Sequence, residues 1–514
     1  MSQLALALVP LALLAGCPRP RLAAGTVVLL VESPPETLDR RLALSATAEN
    51  VSGHLLEPGL LRLGDDGRPT PDLAESFESL DPTTYVFTLR PGLVFSDGSP
   101  LVAADVVATF ESLSDPRLGS PLAVKYREIA SIEALDARRV RVRLRAPFAP
   151  FLADMSMGIV PARAQAAPGR EAFGRHPIGA GPFRVVSWDT DERLLLEANP
   201  RYYGGAPAIT QLLVKTIRDE TTRALELRSG RADLEINALS PPLVAELARA
   251  PHLRVASTPG ADAAYLMFQL DDPRLADRRV REAIADSIDR EALIRYKFLG
   301  RAQLATSLLP PGNWAHAVGL REVVRDLPRA RALLDAAGLR VRPSGTRLRV
   351  TYKTSTDRFR KSVALALAQQ LEEAQIGVDV VTLEFGTFFA DVRKGRFELA
   401  SLKWTPILDP DLLYWVFDSA SIPTPENGYS GGNREHYRNP EVDALLEAAR
   451  GGASEVARLG DYGAAQRILD RDKPYFVLWY EDNVAVIRDD LVGFRLSPYG
   501  SLESLAQARR EGRP

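Results

Sequence analysis

The strongest constraint on the fold is a strand, helix, strand succession over residues 346–385. The stretch "TRLRVTYKTS" alternates apolar and polar side chains, which is typical of a strand. In "RKSVALALAQQLEEAQIG" the apolar residues from Val363 to Ala374 recur at helical spacing, and Gly377 is the expected C-terminal cap of the helix. The stretch "VDVVTLEF" then predicts a second strand. A helix between two such strands indicates a crossover unit in a mainly parallel sheet, so we predict an α/β protein.

Two further segments predict strands of different character. The run "VVLLV", Val27 to Val31, is apolar throughout, as in a strand that is buried on both faces. The stretch "RRVRVRLRAP" alternates apolar residues with arginines and predicts a half-exposed strand. A row of arginines is also compatible with phosphate binding, but the near-neutral chain and the absence of interleaved aromatic residues favour a solvated strand face.

The chain carries little net charge for its size. Its 64 Lys and Arg residues nearly balance 66 Asp and Glu residues, so no global field attracts nucleic acid or anionic lipid. We therefore expect no nucleic-acid partner. The 514 residues, 46% of them hydrophobic, are enough for sizeable cores. Their number suggests about three domains or two large lobes.

The sequence contains no convincing catalytic or metal motif. The five histidines are scattered without zinc-type spacing, and no Walker-type glycine loop occurs, so we expect no metal, nucleotide or other cofactor. Residues 428–432, "GYSGG", formally match the nucleophile elbow of serine hydrolases, and His436 lies nearby. That elbow needs a strand before Ser430 and a helix directly after it. The flanking sequence favours neither, so a loop is the preferred interpretation and no catalytic residue is assigned.

The only cysteine, Cys17, follows an apolar run from Leu4 to Ala15. This run is too short for a membrane-spanning helix but suits a secretory signal. The sequence "LAGC" resembles a bacterial lipoprotein signal, in which the cysteine sulfur accepts a lipid, so we expect lipidation of Cys17. The alternative is a chance cysteine in an ordinary signal, and the leading "MSQ" lacks the positive charge usual in signals. The Pro-rich "PRPR" that follows is typical of a stiff spacer.

Several segments, in order, resemble the extracellular solute-binding proteins of family 5, which serve ABC importers of peptides, oligopeptides and nickel. Residues 71–113, "PDLAESFESLDPTTYVFTLRPGLVFSDGSPLVAADVVATFESL", are similar to the signature region of that family. The stretches "HPIGAGPFRVVSWDTDERLLLEANPRYYGG", "YRNPEVDALLEAAR" and "KPYFVLWYEDNVAVIR" continue the pattern over nearly the whole chain. One departure is Val102, because relatives often place a hydroxyl residue there to cap the following helix, a contribution of roughly 1 kcal/mol.

The resemblance implies a type II periplasmic-binding-protein clamshell with an additional domain inserted in the first lobe. The chain would cross between the lobes twice. The expected segments are a lipoprotein signal at 1–17, a tether at 18–25, lobe I at 26–53, 176–262 and 482–514, an inserted domain at 54–175, and lobe II at 263–481.

The resemblance also implies where a ligand binds. Peptide-binding members hold the ligand's ammonium group with a carboxylate soon after a tryptophan, and "LKWTPILDPD" matches that stretch with Trp404 and Asp409. Residues 405–408 contain no acid, so a free amine would need Asp409 or another carboxylate. A core position is the alternative for Trp404. The expected ligand-binding residues from this motif are Trp404, Thr405 and Asp409. Because strand ends and adjacent loops line the crevice in open α/β sheets, we add Ser33, Tyr352, Thr354, Trp314 and Asn427, with a purely structural role as the favoured alternative for Trp314 and Asn427.

The implied function is capture of a peptide or related small solute between the lobes by hinge closure, followed by delivery to a membrane permease. We expect a monomer outside the cytoplasmic membrane, in the periplasm, held to a membrane through a lipid and working with an ABC permease complex. Two alternatives stay open. One is a ligand sensor on the same fold that feeds no permease, and the other is a secreted hydrolase that uses Ser430 and His436.

Overall fold

The structure is a computed structural model that describes residues 23, 25–165, 173–452 and 454–511. Cys17, the predicted signal and most of the predicted tether lie outside these residues. The strands are β1 Val27–Val31, β2 Leu61–Leu63, β3 Pro69–Pro71, β4 Ala74–Asp81, β5 Thr84–Leu89, β6 Ile129–Ala134, β7 Arg139–Leu144, β8 Phe183–Asp189, β9 Arg193–Ala198, β10 Gln211–Thr216, β11 Leu234–Ile236, β12 Leu253–Phe268, β13 Ala302–Leu304, β14 Leu348–Ser355, β15 Ile376–Leu383, β16 Leu399–Trp404, β17 Tyr475–Arg488, β18 Leu491–Val492 and β19 Arg509–Arg510.

The α-helices are mostly short and lie between the strands. They are α1 Ala46–Val51, α2 Ala103–Leu113, α3 Phe151–Asp154, α4 Glu220–Arg228, α5 Pro241–Leu247, α6 Arg278–Ser287, α7 Arg290–Lys297, α8 Leu327–Ala336, α9 Arg358–Glu373, α10 Phe385–Arg393, α11 Leu412–Phe417, α12 Pro440–Gly451 and α13 Glu455–Asp472. None of the helices in the described ranges has both the length and the hydropathy needed to cross a bilayer.

One large sheet runs through the molecule in the order β15-β14-β16-β12-β17-β11-β1-β10-β9-β8, and β13 also pairs with β17. Its two long strands, β12 and β17, are antiparallel neighbours at the centre. We call the part with β1 and β8–β11 the first lobe, and the part with β13–β16 the second lobe. The chain therefore crosses between the lobes twice, once in β12 and once in β17.

The ladder between β12 and β17 is interrupted where the lobes meet. Residues 253–258 pair with residues 488–483, pairing resumes at Asp262 opposite Glu481, and residues 259–261 have no partner in the ladder. Gly260 sits so close to the other strand that an added Cβ would lie 2.2 Å from the backbone oxygen of Glu481. This bulge divides one continuous sheet into two lobes joined by two strands.

Each lobe has apolar clusters on both faces of its part of the sheet. Val27, Leu29 and Ile487 belong to a cluster on one face of the first lobe, and the opposite face has a cluster of its own. The second lobe is built in the same way. A separate cluster between Leu60 and Ala180 surrounds the small sheet β4-β5-β7-β6, which we call the inserted domain.

Local patterns predicted several of these elements. β14, α9 and β15 form the expected crossover unit, since β14 and β15 are parallel. The prediction that Gly377 caps α9 is wrong, because Gln375 takes the left-handed conformation with φ of 64° and Gly377 lies inside β15. At α2, Val102 supplies no side-chain cap, and Asp105 Oδ2 instead accepts a hydrogen bond from the Val102 backbone N–H at 2.9 Å. The half-exposed strand is confirmed in β7, whose arginines lie mainly on the solvent side.

The close approach at Gly260 generates a first prediction. Gly260→Ala should lower the free energy of unfolding by about 1–3 kcal/mol, because the new methyl group would collide with a backbone oxygen that has little room to move. Thermal denaturation measures the change. Gly460→Ala is the matched control, since that glycine lies within α13 with open space around it, and it should stabilise the protein slightly. Equal stability of the Gly260→Ala variant and the parent would contradict the predicted collision.

Candidate functional site

The strand directions create a crevice beside the interrupted ladder. In the first lobe β1 runs parallel to both β10 and β11, and the end of β11 at Ile236 pairs with Ala485, near the interruption. In the second lobe β14 runs parallel to both β15 and β16, and β16 ends at Trp404 opposite Ala263. Six carboxyl ends therefore face the line where the lobes join. Ligands of open α/β sheets bind in crevices at such strand ends.

Four of the predicted ligand-binding residues lie at these strand ends. Ser33 follows β1 and is exposed, and Thr405 follows β16 and is also exposed. Trp404 is partly buried, and its Nε1 has no hydrogen-bond partner. Thr354 lies near the end of β14, fully buried, and its hydroxyl also lacks a partner. The structure thus places these four near the crevice, and their contact with a ligand stays a prediction.

Two other predicted residues have protein partners. Tyr352 is fully buried in a core cluster, and its hydroxyl donates a hydrogen bond to Ser401 Oγ at 2.6 Å. Asn427 is exposed in a long loop, where its Oδ1 accepts from the backbone N–H groups of Thr424 and Ser430 and its Nδ2 donates to the Ile422 carbonyl. The hydrogen bonds of both side chains are thus made to other residues of the protein, which is a structural role.

Trp314 and Asp409 lie where the inserted domain meets the second lobe. The Trp314 backbone N–H donates to the Asp66 carbonyl at 3.1 Å, and Arg68 forms a 2.7 Å ion pair with Glu455. The guanidinium of Arg68 also lies over the ring of Trp314, 5.7 Å from the ring centre. These contacts bridge the two units at one side of the crevice.

Asp409 is surrounded by cations from both units. Burial raises the pKa of its carboxyl, while Arg458, Lys125 and Arg450 act against that rise. Its Oδ1 accepts a hydrogen bond from the Asp411 backbone N–H at 2.8 Å. Burial likewise raises the pKa of Asp411 to about 8, although Arg450 Nε lies 2.9 Å from its Oδ1.

Ile407, in the segment between Trp404 and Asp409, lies in an apolar environment. Ile407 is 1% exposed and belongs to a core cluster of the second lobe. Its backbone N–H donates to the Ala261 carbonyl at 2.9 Å, which ties this segment to the interrupted part of β12. The segment therefore brings no carboxylate of its own before Asp409.

Sequence reasoning missed Arg434. Its guanidinium lies over the ring of Trp404, 5.1 Å from the ring centre, and over the ring of Phe389 at 5.0 Å. It is only 8% exposed and stands beside the fully buried Glu435. An arginine in an irregular loop gives no periodic signal in the sequence. The two rings that it contacts belong to other elements, α10 and β16.

Ser430 and His436 do not form a nucleophile elbow. Ser430 lies in a loop without a strand before it or a helix directly after it. His436 Nδ1 lies 2.6 Å from Asp271 Oδ2, and no hydrogen bond joins its ring to Ser430 among the residues that the structure describes. Within the same residues, no three His, Cys, Asp or Glu side chains are grouped so that they could hold a metal ion.

Two lobes joined by two strands around a crevice define the class of type II periplasmic binding proteins. Two solved structures agree with this class. NikZ from Campylobacter jejuni, in complex with Ni(L-His), is 26% identical with a TM-score of 0.79, and 95% of this chain and 100% of that chain are covered. DppA from Helicobacter pylori, in complex with the peptide STSA, is 25% identical with a TM-score of 0.75, and the coverage is 95% and 98%.

Sequence comparison identifies the family. The model described as bacterial extracellular solute-binding proteins, family 5, matches residues 68–423. The probable di/tripeptide-binding protein 5 of Pseudomonas aeruginosa is 30% identical, over 93% of this chain and 94% of the relative. The chain therefore belongs to the family 5 bacterial extracellular solute-binding proteins, as its sequence motifs predicted.

Glu235, the middle residue of β11 in the first lobe, generates a pH prediction. It is 1% exposed, and burial raises its pKa from 4.5 to about 8. The native protein therefore binds more protons at this carboxyl than the unfolded chain does between these two values. The stability that the protonated Glu235 carboxyl contributes is therefore fully present at low pH and is lost as the pH rises towards 8.

We expect the melting temperature of Glu235→Gln to fall less than that of the parent as the pH rises through this window. The amide keeps an oxygen acceptor for the backbone N–H of Ala238, which lies 2.5 Å from Glu235 Oε1. Thermal denaturation across the pH range measures the effect, and the exposed Glu78→Gln variant is the control. Parallel pH profiles for Glu235→Gln and the parent would rule out this linkage.

Proposed function

We propose that this chain is the substrate-binding lipoprotein of an ABC importer. It captures a peptide or a related small solute between two lobes by hinge closure and delivers it to a membrane permease. The protein works by binding and hand-over rather than by catalysis, as a monomer in the periplasm that is lipid-anchored to a membrane. In this proposal lobe I comprises 26–53, 176–262 and 482–514, the inserted domain 54–175, and lobe II 263–481.

The observation that carries the proposal is the two-strand connection beside six converging strand ends. Two strands hold the lobes together, and the unpaired residues 259–261 give the connection a place to bend. Rotation about this place changes the width of the crevice without disturbing the cores of the lobes, which are separate clusters. Such hinge closure around a ligand is an established form of domain motion.

The ligand class is supported by relatives rather than by a single residue. Two of them are named a probable di/tripeptide-binding protein and a probable D,D-dipeptide-binding periplasmic protein. An extended peptide offers backbone N–H and C=O groups that can pair with exposed main chain at strand ends. Because Ile407 stands where peptide-binding members were expected to carry an acid, the amine of such a peptide has no partner at that position.

Native mass spectrometry of the purified protein tests the binding function, first for a co-purified ligand and then with added di- to hexapeptide mixtures. We expect Trp404→Ala to weaken binding about tenfold or more, because a large aromatic surface at the crevice is lost. Trp188→Ala is the matched control, since Trp188 packs on the cluster of the first lobe near the far edge of the sheet. Unchanged affinity in Trp404→Ala would remove that residue from the binding site, and no bound solute at all would contradict the function.

The lipid anchor has its own prediction. Cys17→Ser should move the protein from the membrane fraction to the soluble fraction, because the sulfur that accepts the lipid is lost. Several acyl chains are needed for stable anchoring, so the change should be nearly complete. Ligand binding should stay at the parent level. Continued membrane association of the variant would refute lipidation at this position.

A further inference from the structure

The turn between β2 and β3 of the inserted domain reaches the second lobe. This turn, residues 64–68 with the sequence "GDDGR", is called the hairpin tip below. Two backbone hydrogen bonds close it, from the Gly64 N–H to the Arg68 carbonyl at 2.8 Å and from the Gly67 N–H to the Gly64 carbonyl at 2.9 Å. Gly67 has a φ of 79°, in the left-handed region that favours glycine. The hairpin tip is therefore a tight loop of defined shape.

The hairpin tip contacts three segments of the second lobe that are distant in sequence. The backbone N–H of Trp314 donates a hydrogen bond to the tip at 3.1 Å, and Glu455, at the start of α13, forms the 2.7 Å ion pair with Arg68. At Gly67 the chain passes so close to the second lobe that an added Cβ would lie 2.8 Å from the backbone oxygen of Leu408. Backbone, charged and close-packed contacts thus join the tip to the second lobe.

The body of the inserted domain is attached to the first lobe instead. Arg41, in the segment after β1, is 1% exposed. Its Nη1 donates a hydrogen bond to Ser112 Oγ at 3.0 Å, and its carbonyl accepts one from Ser120 Oγ at 2.7 Å. The hydroxyl of Tyr203, which follows β9, donates to the Asp72 carboxylate. Because these bonds join buried or partly buried groups, the inserted domain moves with the first lobe, and the hairpin tip is where it touches the other moving body.

The contacts of the hairpin tip are of the kind that can break and form again. The side chains of Arg68 and Glu455 are 41% and 53% exposed, and exposed ion pairs contribute little and are screened by salt. The Arg68 guanidinium over the ring of Trp314 adds a further surface contact. Elsewhere along this boundary the Ala149 N–H donates to the Arg450 carbonyl of the second lobe at 2.8 Å. None of these contacts requires burial of a charge, so the boundary can open at small cost.

The hairpin tip also lies beside the place where the lobes are joined. Leu408 is one residue away from the backbone hydrogen bond that ties its segment to Ala261, in the unpaired stretch of β12. On its other side the tip meets Tyr499 of the C-terminal segment, whose hydroxyl would lie 2.9 Å from an added Cβ at Gly67. The tip therefore stands between two segments that flank the bend, and rotation of the lobes has to change its contacts.

We propose that the hairpin tip is a latch, which engages the second lobe when the crevice closes and slows the escape of a captured solute until it disengages. The inference rests on the proposed function and adds a control of the release step. A captured solute leaves only when the lobes separate, so contacts that exist only in the closed form lower the release rate. Because these contacts are individually weak, the latch delays opening without preventing it.

Two glycine variants of the full-length protein test the latch. Gly67→Ala brings a methyl group against the Leu408 oxygen, whereas Gly92→Ala, the matched control, has no atom within 4 Å of the added carbon. The two glycines have φ of 79° and 70°, so the backbone strain of the two variants is alike.

Each variant is loaded with the di- to hexapeptide mixture and then diluted into an excess of an isotope-labelled copy, and native mass spectrometry follows the exchange. We expect Gly67→Ala to release bound peptides about tenfold faster, or more, than Gly92→Ala, because the methyl group keeps the tip from seating on the second lobe. Equal release rates of the two variants would overturn the latch and leave the proposed function standing.

Removal of the ion pair gives a second test. Arg68→Ala and Glu455→Ala should each speed peptide release about threefold, and the double variant should be no faster than Arg68→Ala, because both substitutions remove the same contact. Arg184→Ala is the control, since Arg184 forms a comparably exposed 2.8 Å ion pair with Glu197 inside the first lobe, and its release rate should equal that of the parent. Effects of Arg68→Ala and Glu455→Ala that multiply in the double variant would speak against the latch.

A distance measurement without peptide separates the latch from the proposed function. Spin labels on Val124→Cys in the inserted domain and Leu459→Cys in α13, both exposed, are introduced in a Cys17→Ser background. We expect Gly67→Ala to show longer label distances than Gly92→Ala. Equal distances would overturn the latch. Longer distances in a protein that binds no peptide would overturn the proposed function and leave the latch standing.

Discussion

The antiparallel pairing of β12 with β17 is the interaction on which the rest of the structure depends. These two strands belong to both lobes, and the unpaired residues 259–261 separate their ladder into two parts. The hydrogen bonds on either side hold each lobe as a continuous sheet, and the interruption gives the pair a place to bend. The same place sets the position of the crevice, because β11 and β16 both end beside it. In the proposed function, the hinge and the binding surface are both consequences of this one break in the ladder.

The parts of the fold that could be predicted from sequence are those whose signals are local. The crossover unit β14-α9-β15 has alternating and helical periodicity, and β1 has an uninterrupted apolar run. The prediction for Gly377 failed because Gln375 accepts a left-handed conformation that glycine usually supplies. Ordered motifs identified the family, although each motif alone is weak.

The site was less predictable because it is made by residues that are distant in sequence. Trp404 was predicted from the family motif and Ser33 from its place after a strand, but nothing near Arg434 in the chain indicates that rings from α10 and β16 will enclose it. The ion pair between Arg68 and Glu455 could not be predicted for the same reason, since these two residues belong to units that meet only after folding.

The distance between the two sides of the crevice, measured with and without a bound solute, tests hinge capture most directly. Spin labels on Val124→Cys in the inserted domain and Val456→Cys in the second lobe, in a Cys17→Ser background, report this distance by pulsed electron paramagnetic resonance, and both positions are well exposed. We expect a broad distribution that shortens and narrows when the peptide mixture is added. A distribution that stays unchanged while mass spectrometry shows bound peptide would contradict capture by closure.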